Sequence, residues 1–364
     1  MRVSELDTPA ILIDVDVMEQ NLARVAGYAR EHDLRLRPHT KTHKIPALAR
    51  RQIELGAAGL TVAKTSEAEV MLKAHPADLL VAYPVVGTTK LQRLMRIAEE
   101  SDVTVALDSE AVARQLSEAA APAGRTIGAL VEIDVGLRRV GVQPGAELLA
   151  LAKTVDALPG LDLRGIAYYP GHIKLMDDEA VRQLNQVDDI ITAALTDFRQ
   201  AGLNAAIVSG GSTPALFHSH LVTGMNEIRP GTYIFNDRNT WKCGGCTFED
   251  CAATVLTTVV STSVPGRLIV DGGSKTFSSD RCSVPDEQGF GVLTGYPDAV
   301  FEKMNEEHGF FDVSRTSHSL KVGDRVRILP NHICVAMNLH EQVYGVRGDE
   351  VIGVWKVEAR GRLQ

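Results

Sequence analysis

Between residues 34 and 235, short apolar, β-branched runs alternate eight times with longer segments of helical period, and nothing else in the chain restricts its fold as strongly. The runs are 34–38, 58–62, 78–83, 103–107, 127–134, 163–169, 205–209 and 227–235. Between them, segments such as 66–73, 88–99, 109–121, 146–157 and 178–201 place apolar residues three and four positions apart, the mark of an amphipathic helix. Eight βα repeats predict a closed (β/α)8 barrel of the TIM type, which takes roughly 230 residues. The rival is an open, doubly wound α/β sheet. It carries fewer strands, and the Gly-rich turn that dinucleotide binding needs after a first strand is missing here.

Beyond residue 240 the helical period fades. Segments 252–263, 267–271, 325–329 and 351–357 read as strands separated by Gly-rich and charged loops, which predicts a second, β-rich domain. The expected division is a barrel over 1–236 and a β-rich domain over 237–364, with the first ~15 residues able to pair with the β domain. Segment 236–250, which contains Cys243, Gly244, Gly245 and Cys246, reads as the connecting loop.

A formal net charge of -8 gives no electrostatic reason to bind nucleic acid or anionic lipid. No run approaches the ~18 consecutive apolar residues of a membrane span, so no membrane role is expected. Five cysteines form an odd, sparse set that suits a reducing compartment better than a disulfide framework, and we expect a cytoplasmic protein. A small anionic substrate would then need local positive charge.

Two segments supply it. Arg37-Pro38-His39-Thr40-Lys41-Thr42-His43-Lys44 follows the first barrel strand, at the end where barrel enzymes keep their active sites. On a continuing strand His39 and Lys41 would face the same way. Read alone, the cluster fits a solvated anion patch as well as a nucleophilic lysine. The second use requires neighbouring cations and partial desolvation to lower the amine's pKa. Glu132-Ile133-Asp134-Val135-Gly136-Leu137-Arg138-Arg139 runs a strand into a turn that presents arginines, which could equally pair with surface carboxylates.

Ser209-Gly210-Gly211-Ser212-Thr213 and Arg229-Pro230-Gly231-Thr232-Tyr233 are Gly turns after the last two strands, where barrels commonly bind phosphate on backbone N–H groups. In Pro330-Asn331-His332-Ile333-Cys334 an extended backbone would project His332 and Cys334 to one face, so both could reach one metal ion. The competing reading there is a buried cysteine beside a structural histidine. Cys243-x-x-Cys246, with Cys251 further on, is a second candidate for zinc or redox chemistry.

Together these segments resemble the D-serine dehydratase and D-threonine aldolase branch of the alanine-racemase-like, fold-type III pyridoxal phosphate (PLP) enzymes. The resemblance runs from Leu6-Asp7-Thr8-Pro9 to Trp355-Lys356-Val357-Glu358-Ala359-Arg360-Gly361, and its most specific piece is Arg37-Pro38-His39-x-Lys41-x-His43-Lys44. It implies that Lys41 carries PLP as a Schiff base, Arg139 contacts the cofactor's phenolic oxygen and Tyr169 lies near the pyridine ring. The phosphate would rest on Ser209, Gly210, Gly211, Ser212 and Thr213 and on Gly231 and Thr232, with Tyr233 close by. Arg229 stands where alanine racemases place an arginine on the pyridine nitrogen. His332 and Cys334 would hold a divalent metal, zinc or manganese. A homodimer and a small D-amino-acid substrate are likewise implied.

Two positions depart from the aldolases that this branch contains. Those similar proteins carry His-x-Asp at the metal position, whereas this chain has His332-x-Cys334, similar to the D-serine dehydratases. They also carry a histidine where this chain has Leu175, leaving His172 as the only nearby substitute. The expected activity is therefore a PLP- and metal-dependent lyase acting on D-β-hydroxy-α-amino acids, of dehydratase type. Aldol cleavage to glycine and an aldehyde is the alternative, with His172 as the base on the β-hydroxyl. An amino-acid racemase is a further alternative that leaves the metal pair unexplained.

Overall fold

The computed structural model describes residues 1–364, which separate into two compact units. One comprises Val25–Lys41, Pro46–Gly231 and Gly361–Gln364; the other comprises Met1–Arg24, Thr42–Ile45 and Thr232–Arg360. No helix is long and apolar enough to cross a membrane.

The first unit contains eight parallel strands, Arg35–Leu36, Leu60–Val62, Asp78–Val81, Asp102–Leu107, Ile127–Ile133, Leu161–Tyr168, Ile207–Gly210 and Glu227–Ile228. From Leu60–Val62 onward each pairs with the next in sequence, and Glu227–Ile228 returns to Arg35–Leu36. The ring is completed where the N–H groups of Ala58, Thr61 and Thr40 donate to Leu36, Pro38 and Thr61 carbonyls, each at 2.8 Å. The eight-stranded alternation read from the sequence is thus realised, and the open-sheet alternative is not.

Helices cover the outside, so the strands are buried on both faces and read as apolar runs rather than as alternating ones. Ile127–Ile133 is buried at every position. The helix Asp178–Gln200 starts where Asp177 accepts a hydrogen bond from the Ala180 N–H, and it buries Ala180, Leu184, Val187, Ile191, Ala194 and Phe198 at helical spacing. The last strand is shorter than the run at 227–235 suggested. Pro230 has no N–H to give to a ladder, and Thr232–Ile234 turns instead into a 3-10 helix.

In the second unit nine strands form one sheet. Six of them, Ala253–Ser261, Arg267–Val270, Gly309–Asp312, Val300–Met304, Gly291–Leu293 and Arg325–Pro330, pair in a closed antiparallel ring. Its interior is aromatic: Phe301 stacks on Phe311 with centroids 4.5 Å apart and meets Phe277 edge-on at 5.2 Å. Ala10–Asp14 joins the same sheet, antiparallel to Ala253–Ser261 and parallel to Gln342–Arg347, which in turn pairs with Glu350–Lys356. Segment 236–250 is not all loop. It begins with a short helix, Arg238–Lys242, capped by the side chain of Asp237.

Candidate active site

The strand Arg35–Leu36 ends early, so Lys41 lies in a turn rather than on the strand face expected to present it together with His39. His39 makes one parallel bridge to Thr61, and its Nδ1 accepts from the Lys41 N–H at 3.4 Å. The Lys41 side chain is exposed, so the chain itself does not supply the desolvation expected around it. The nearby cations are committed to other partners. Arg37 is 1% exposed, forks onto both Asp78 oxygens at 2.7 Å and lies 2.9 Å from Glu227 Oε2. Lys44 donates to the Ala359 carbonyl at 3.4 Å.

The two late turns come together. The Gly231 N–H donates to Thr213 Oγ1 at 3.3 Å, Gly211 adopts φ 84°, and Ser212 and Thr213 are buried. A side chain is disfavoured at that φ, which leaves a bare main-chain concavity of the kind that accepts anions. Ser209 departs from its expected part, since its hydroxyl donates to buried Glu227 at 2.7 Å and holds the barrel interior together. Only its main chain remains for an anion.

Arg229 is also buried. Its Nη2 donates to the carbonyls of Tyr168 and Ser209, at 2.7 and 3.4 Å, while its Nε has no partner. Burial pulls its pKa down, opposed by the charges of Glu132 and Glu227. Glu132, equally buried, is pushed above the usual carboxylate range by desolvation, against the pull of Arg229 and Arg139.

The arginine turn is shaped by Asp134, whose Oδ1 accepts from the N–H groups of Gly136 and Arg138 at 3.0 and 2.9 Å. Arg139 is exposed, and its guanidinium carbon lies 4.8 Å from the centroid of the Tyr169 ring. His172 packs beside this turn: a methyl group on Gly136 would stand 3.2 Å from its Cε1 and Nε2. Its Nδ1 is buried without a partner, and burial holds its pKa below the ordinary value, offset in part by Asp134.

An exposed amine at Lys41, a buried anion-competent turn and an orphaned arginine nitrogen fit PLP. They are the linkage, the phosphate site and an unsatisfied polar atom that a polar ring could engage.

The His332–Cys334 segment is not extended as expected. His332, in an extended conformation, is the residue before the helix Ile333–Leu339, and Cys334 sits in that helix's first turn. The two side chains nevertheless interact. His332 is held well above its ordinary pKa, first by the charge of Cys334 and then by the hydrogen bond to Asp237, against the opposing effect of burial. Asp237 Oδ2 lies 2.9 Å from His332 Nδ1, leaving Nε2 as the nitrogen for a metal. The Cys334 thiol donates to Thr42 Oγ1 at 3.2 Å and lies 3.7 Å from Thr232 Oγ1. No group of three or more His, Cys, Asp or Glu is arranged to hold a metal. This donor set fits a divalent ion with two protein ligands and open positions for substrate and water.

Sequence reasoning missed Asp237 and Asn331. Asn331 is buried, donates to the Asp280 and Gly289 carbonyls at 3.0 and 2.9 Å and accepts from Arg238 at 3.0 Å, pinning the backbone next to His332. The available signal for Asp237 was its place three residues before Thr240, a helix-cap spacing inside what read as a loop. The alternative cysteine cluster is occupied differently. Cys243 donates to the Thr240 carbonyl at 3.2 Å and burial pushes its thiol up to about 11. Cys251 is raised too, chiefly by its bond with Cys246, and donates to the Thr247 and Asp237 carbonyls at 3.7 Å. Cys243 and Cys251 thus both point their thiols at main-chain carbonyls.

Comparison with known proteins agrees with this architecture. The alanine racemase N-terminal domain model matches residues 13–239 and a serine dehydratase domain model matches residues 252–346. The chain is 32% identical to a D-threonine aldolase of Arthrobacter sp. over 365 residues, covering 99% of this chain and 94% of that protein. The solved D-threonine aldolase from Filomicrobium marinum superposes with a TM-score of 0.92 at 33% identity, covering 100% of this chain and 98% of that one.

The D-threo-3-hydroxyaspartate dehydratase from Delftia sp. HT23 superposes with a TM-score of 0.88 at 30% identity, covering 98% of each chain. That dehydratase has also been solved with alanine in place of a histidine and, in a metal-free form, with alanine in place of a cysteine two positions later. By fold, by length of match and by identity, the chain belongs to the D-serine dehydratase and D-threonine aldolase family of alanine-racemase-like, PLP-dependent lyases.

Proposed function

We propose that this lyase eliminates the β-hydroxyl of a small D-β-hydroxy-α-amino acid, giving a keto acid and ammonia, with PLP on Lys41 and a zinc or manganese ion on His332 and Cys334. The observation that carries the reading is the His332–Cys334 pair, braced by Asp237 at 2.9 Å. Overall likeness does not choose between reactions, because identity is 32% both to the Arthrobacter aldolase and to the Delftia dehydratase. The choice falls to the donors. A thiolate beside an imidazole is a softer pair than the His-x-Asp of the aldolases and suits zinc.

When bound, PLP supplies an electron sink for a bond at the substrate Cα, and the divalent ion supplies a Lewis acid for the β-hydroxyl. Lys41 would anchor the cofactor and serve as the amine that takes the proton from the substrate Cα. Gly210, Gly211, Ser212, Thr213, Gly231 and Thr232 would hold the phosphate, beside buried Tyr233. Arg139 and Tyr169 would flank the cofactor ring, with a positive charge beside its phenolic oxygen. Arg229 has its Nη2 engaged by carbonyls, so its unpartnered Nε is the atom it could offer.

Retro-aldol cleavage is the second reading, favoured by His172. A base on the β-hydroxyl must be neutral, and burial keeps this imidazole so. A racemase has no use for the arrangement of His332, Cys334 and Asp237. A cytoplasmic homodimer that binds neither nucleic acid nor membrane completes the proposal.

Product identity tests it. Purified protein given PLP and zinc should convert D-serine to keto acid and ammonia; glycine and acetaldehyde from D-threonine, without keto acid from D-serine, would replace dehydration by aldol cleavage. Lys41→Ala should lose the visible absorption of lysine-bound PLP, and retention of that absorption would remove the cofactor assignment.

A further inference from the structure

Asp237 is fully buried and accepts four hydrogen bonds from four donors. The N–H and the hydroxyl of Thr240 reach Oδ1, each at 2.9 Å; the His332 ring nitrogen Nδ1 and the Ile333 N–H reach Oδ2, at 2.9 and 3.1 Å. One end of the carboxylate therefore caps the helix Arg238–Lys242, and the other clamps the segment that bears His332. A carboxylate can accept at both ends, whereas an amide would turn an NH2 group toward a backbone N–H whichever way it was placed. We propose that Asp237 is the positioning residue of the metal site: it fixes His332 with the proton on Nδ1, aims Nε2 at the metal, and places a negative charge behind the imidazole. This inference rests on the reading of His332 as a metal ligand.

Three observations favour a role beyond packing. The carboxylate meets the imidazole through the nitrogen that a metal would not use, which is the carboxylate–histidine–metal arrangement that sets tautomer and basicity. The Asp237 oxygen on His332 also takes the N–H of Ile333, so side chain and main chain of the ligand segment are fixed by one atom. Asn331, on the other side of His332, is held by three hydrogen bonds of its own. The ligand is thus restrained from both flanks while its ring remains partly open, at 34% side-chain exposure.

The test is zinc affinity of the PLP-loaded protein, measured by competition with a chelator, for Asp237→Asn, Thr240→Ala and His332→Ala. Loss of such a partner typically weakens metal binding by about 10–100-fold. Asp237→Asn is expected to fall in that range while keeping the absorption of bound PLP. Thr240→Ala removes the hydroxyl contact at the other carboxylate oxygen and leaves the imidazole clamp; it should lower the melting temperature and change zinc affinity by less than about threefold.

Zinc binding by Asp237→Asn within about threefold of the parent, or an equal weakening in Thr240→Ala, would overturn the assignment, the second by showing that only helix capping matters. If the Asn variant fails to fold, nitrogen chemical shifts of labelled histidine in the zinc-loaded parent decide: a proton on Nδ1 of His332 supports the clamp, and a proton on Nε2 overturns it. Undiminished zinc binding by His332→Ala would instead bring down the ligand reading itself, and this inference with it.

Discussion

The thiol of Cys334 donates to the hydroxyl of Thr42 at 3.2 Å, and Thr42 is peptide-bonded to Lys41. The proposed metal ligand is therefore tied to the residue that follows the proposed cofactor lysine.

That tie gives the first prediction. Cys334→Ala should lose bound zinc almost completely while keeping the absorption of lysine-bound PLP, because it removes one of only two metal donors but, from the phosphate turns, only a 3.7 Å contact with the Thr232 hydroxyl. Thr42→Val removes only the hydroxyl that receives the thiol and should retain zinc, with an affinity lowered by a few-fold at most. Metal analysis of the purified variants alongside their visible spectra checks both. Equal metal content in Cys334→Ala and the parent would detach this cysteine from the site.

Arg37 is predicted to matter for stability before chemistry. It is 1% exposed and neutralises Asp78 and Glu227, the latter fully buried and also bonded to Ser209. Arg37→Ala leaves the Glu227 carboxylate without its main counter-charge, and breaking a buried pair from one side costs about 3–5 kcal/mol. Urea unfolding should show a midpoint lowered accordingly. Adding Glu227→Gln in the same chain should recover part of the loss, because the unpaired charge is then gone. A single variant with parental stability would show that water or a rearranged side chain compensates inside the barrel.

The barrel was legible because its two periods alternate cleanly, apolar runs against helical spacing, over eight repeats. The second unit was less so. Gly291–Leu293, Val300–Met304 and Gly309–Asp312 escaped notice because they are short and lie among glycines and charged residues. At the site, local chemistry was readable and long-range chemistry was not. His332 and Cys334 stand out as a pair in the sequence, but Asp237 lies 95 positions away from His332 in the chain. The basic run around Lys41 suggested electrostatic activation of the amine; folding commits Arg37 and Lys44 to other partners, and that pairing with Asp78, Glu227 and Ala359 depends on closure of the tertiary structure. The partner of the Ser209 hydroxyl was hidden for the same reason, since its neighbour Glu227 belongs to the next strand.

The phosphate turn supplies a prediction of close fit. A Cβ on Gly210 would lie 2.2 to 2.7 Å from three ring carbons of Tyr168, a side chain that is 1% exposed and whose hydroxyl donates to Met225 Sδ at 2.9 Å. The ring cannot swing away, so Gly210→Ala must move the strand end that leads into Gly211, Ser212 and Thr213. Overpacking of this kind costs about 1–3 kcal/mol. PLP affinity, followed by its visible absorption on titration, should fall at least about tenfold, which corresponds to 1.4 kcal/mol. Gly27→Ala is the contrast: a methyl group added to that helical glycine would meet nothing within 4 Å, and the replacement should raise stability by up to about 1 kcal/mol with no change in PLP binding.

His172 supplies a pH signature that separates the two lyase reactions. Burial disfavours its imidazolium, so its pKa lies below the ordinary value of about 6.5 and the ring stays neutral as pH falls through that point. A base of this kind loses function only below its own depressed pKa. Any aldol cleavage of D-threonine that depends on it should therefore persist at pH values where an ordinary histidine is already half protonated, and His172→Gln should remove that activity at every pH. Dehydration of D-serine, which takes its α-proton with Lys41 in the proposed scheme, should retain most of its rate and the shape of its pH profile in the same variant. An equal fall of both activities, with unchanged pH profiles, would instead mean that His172 acts by packing beside Gly136 and shaping the arginine turn, and the base role would be withdrawn.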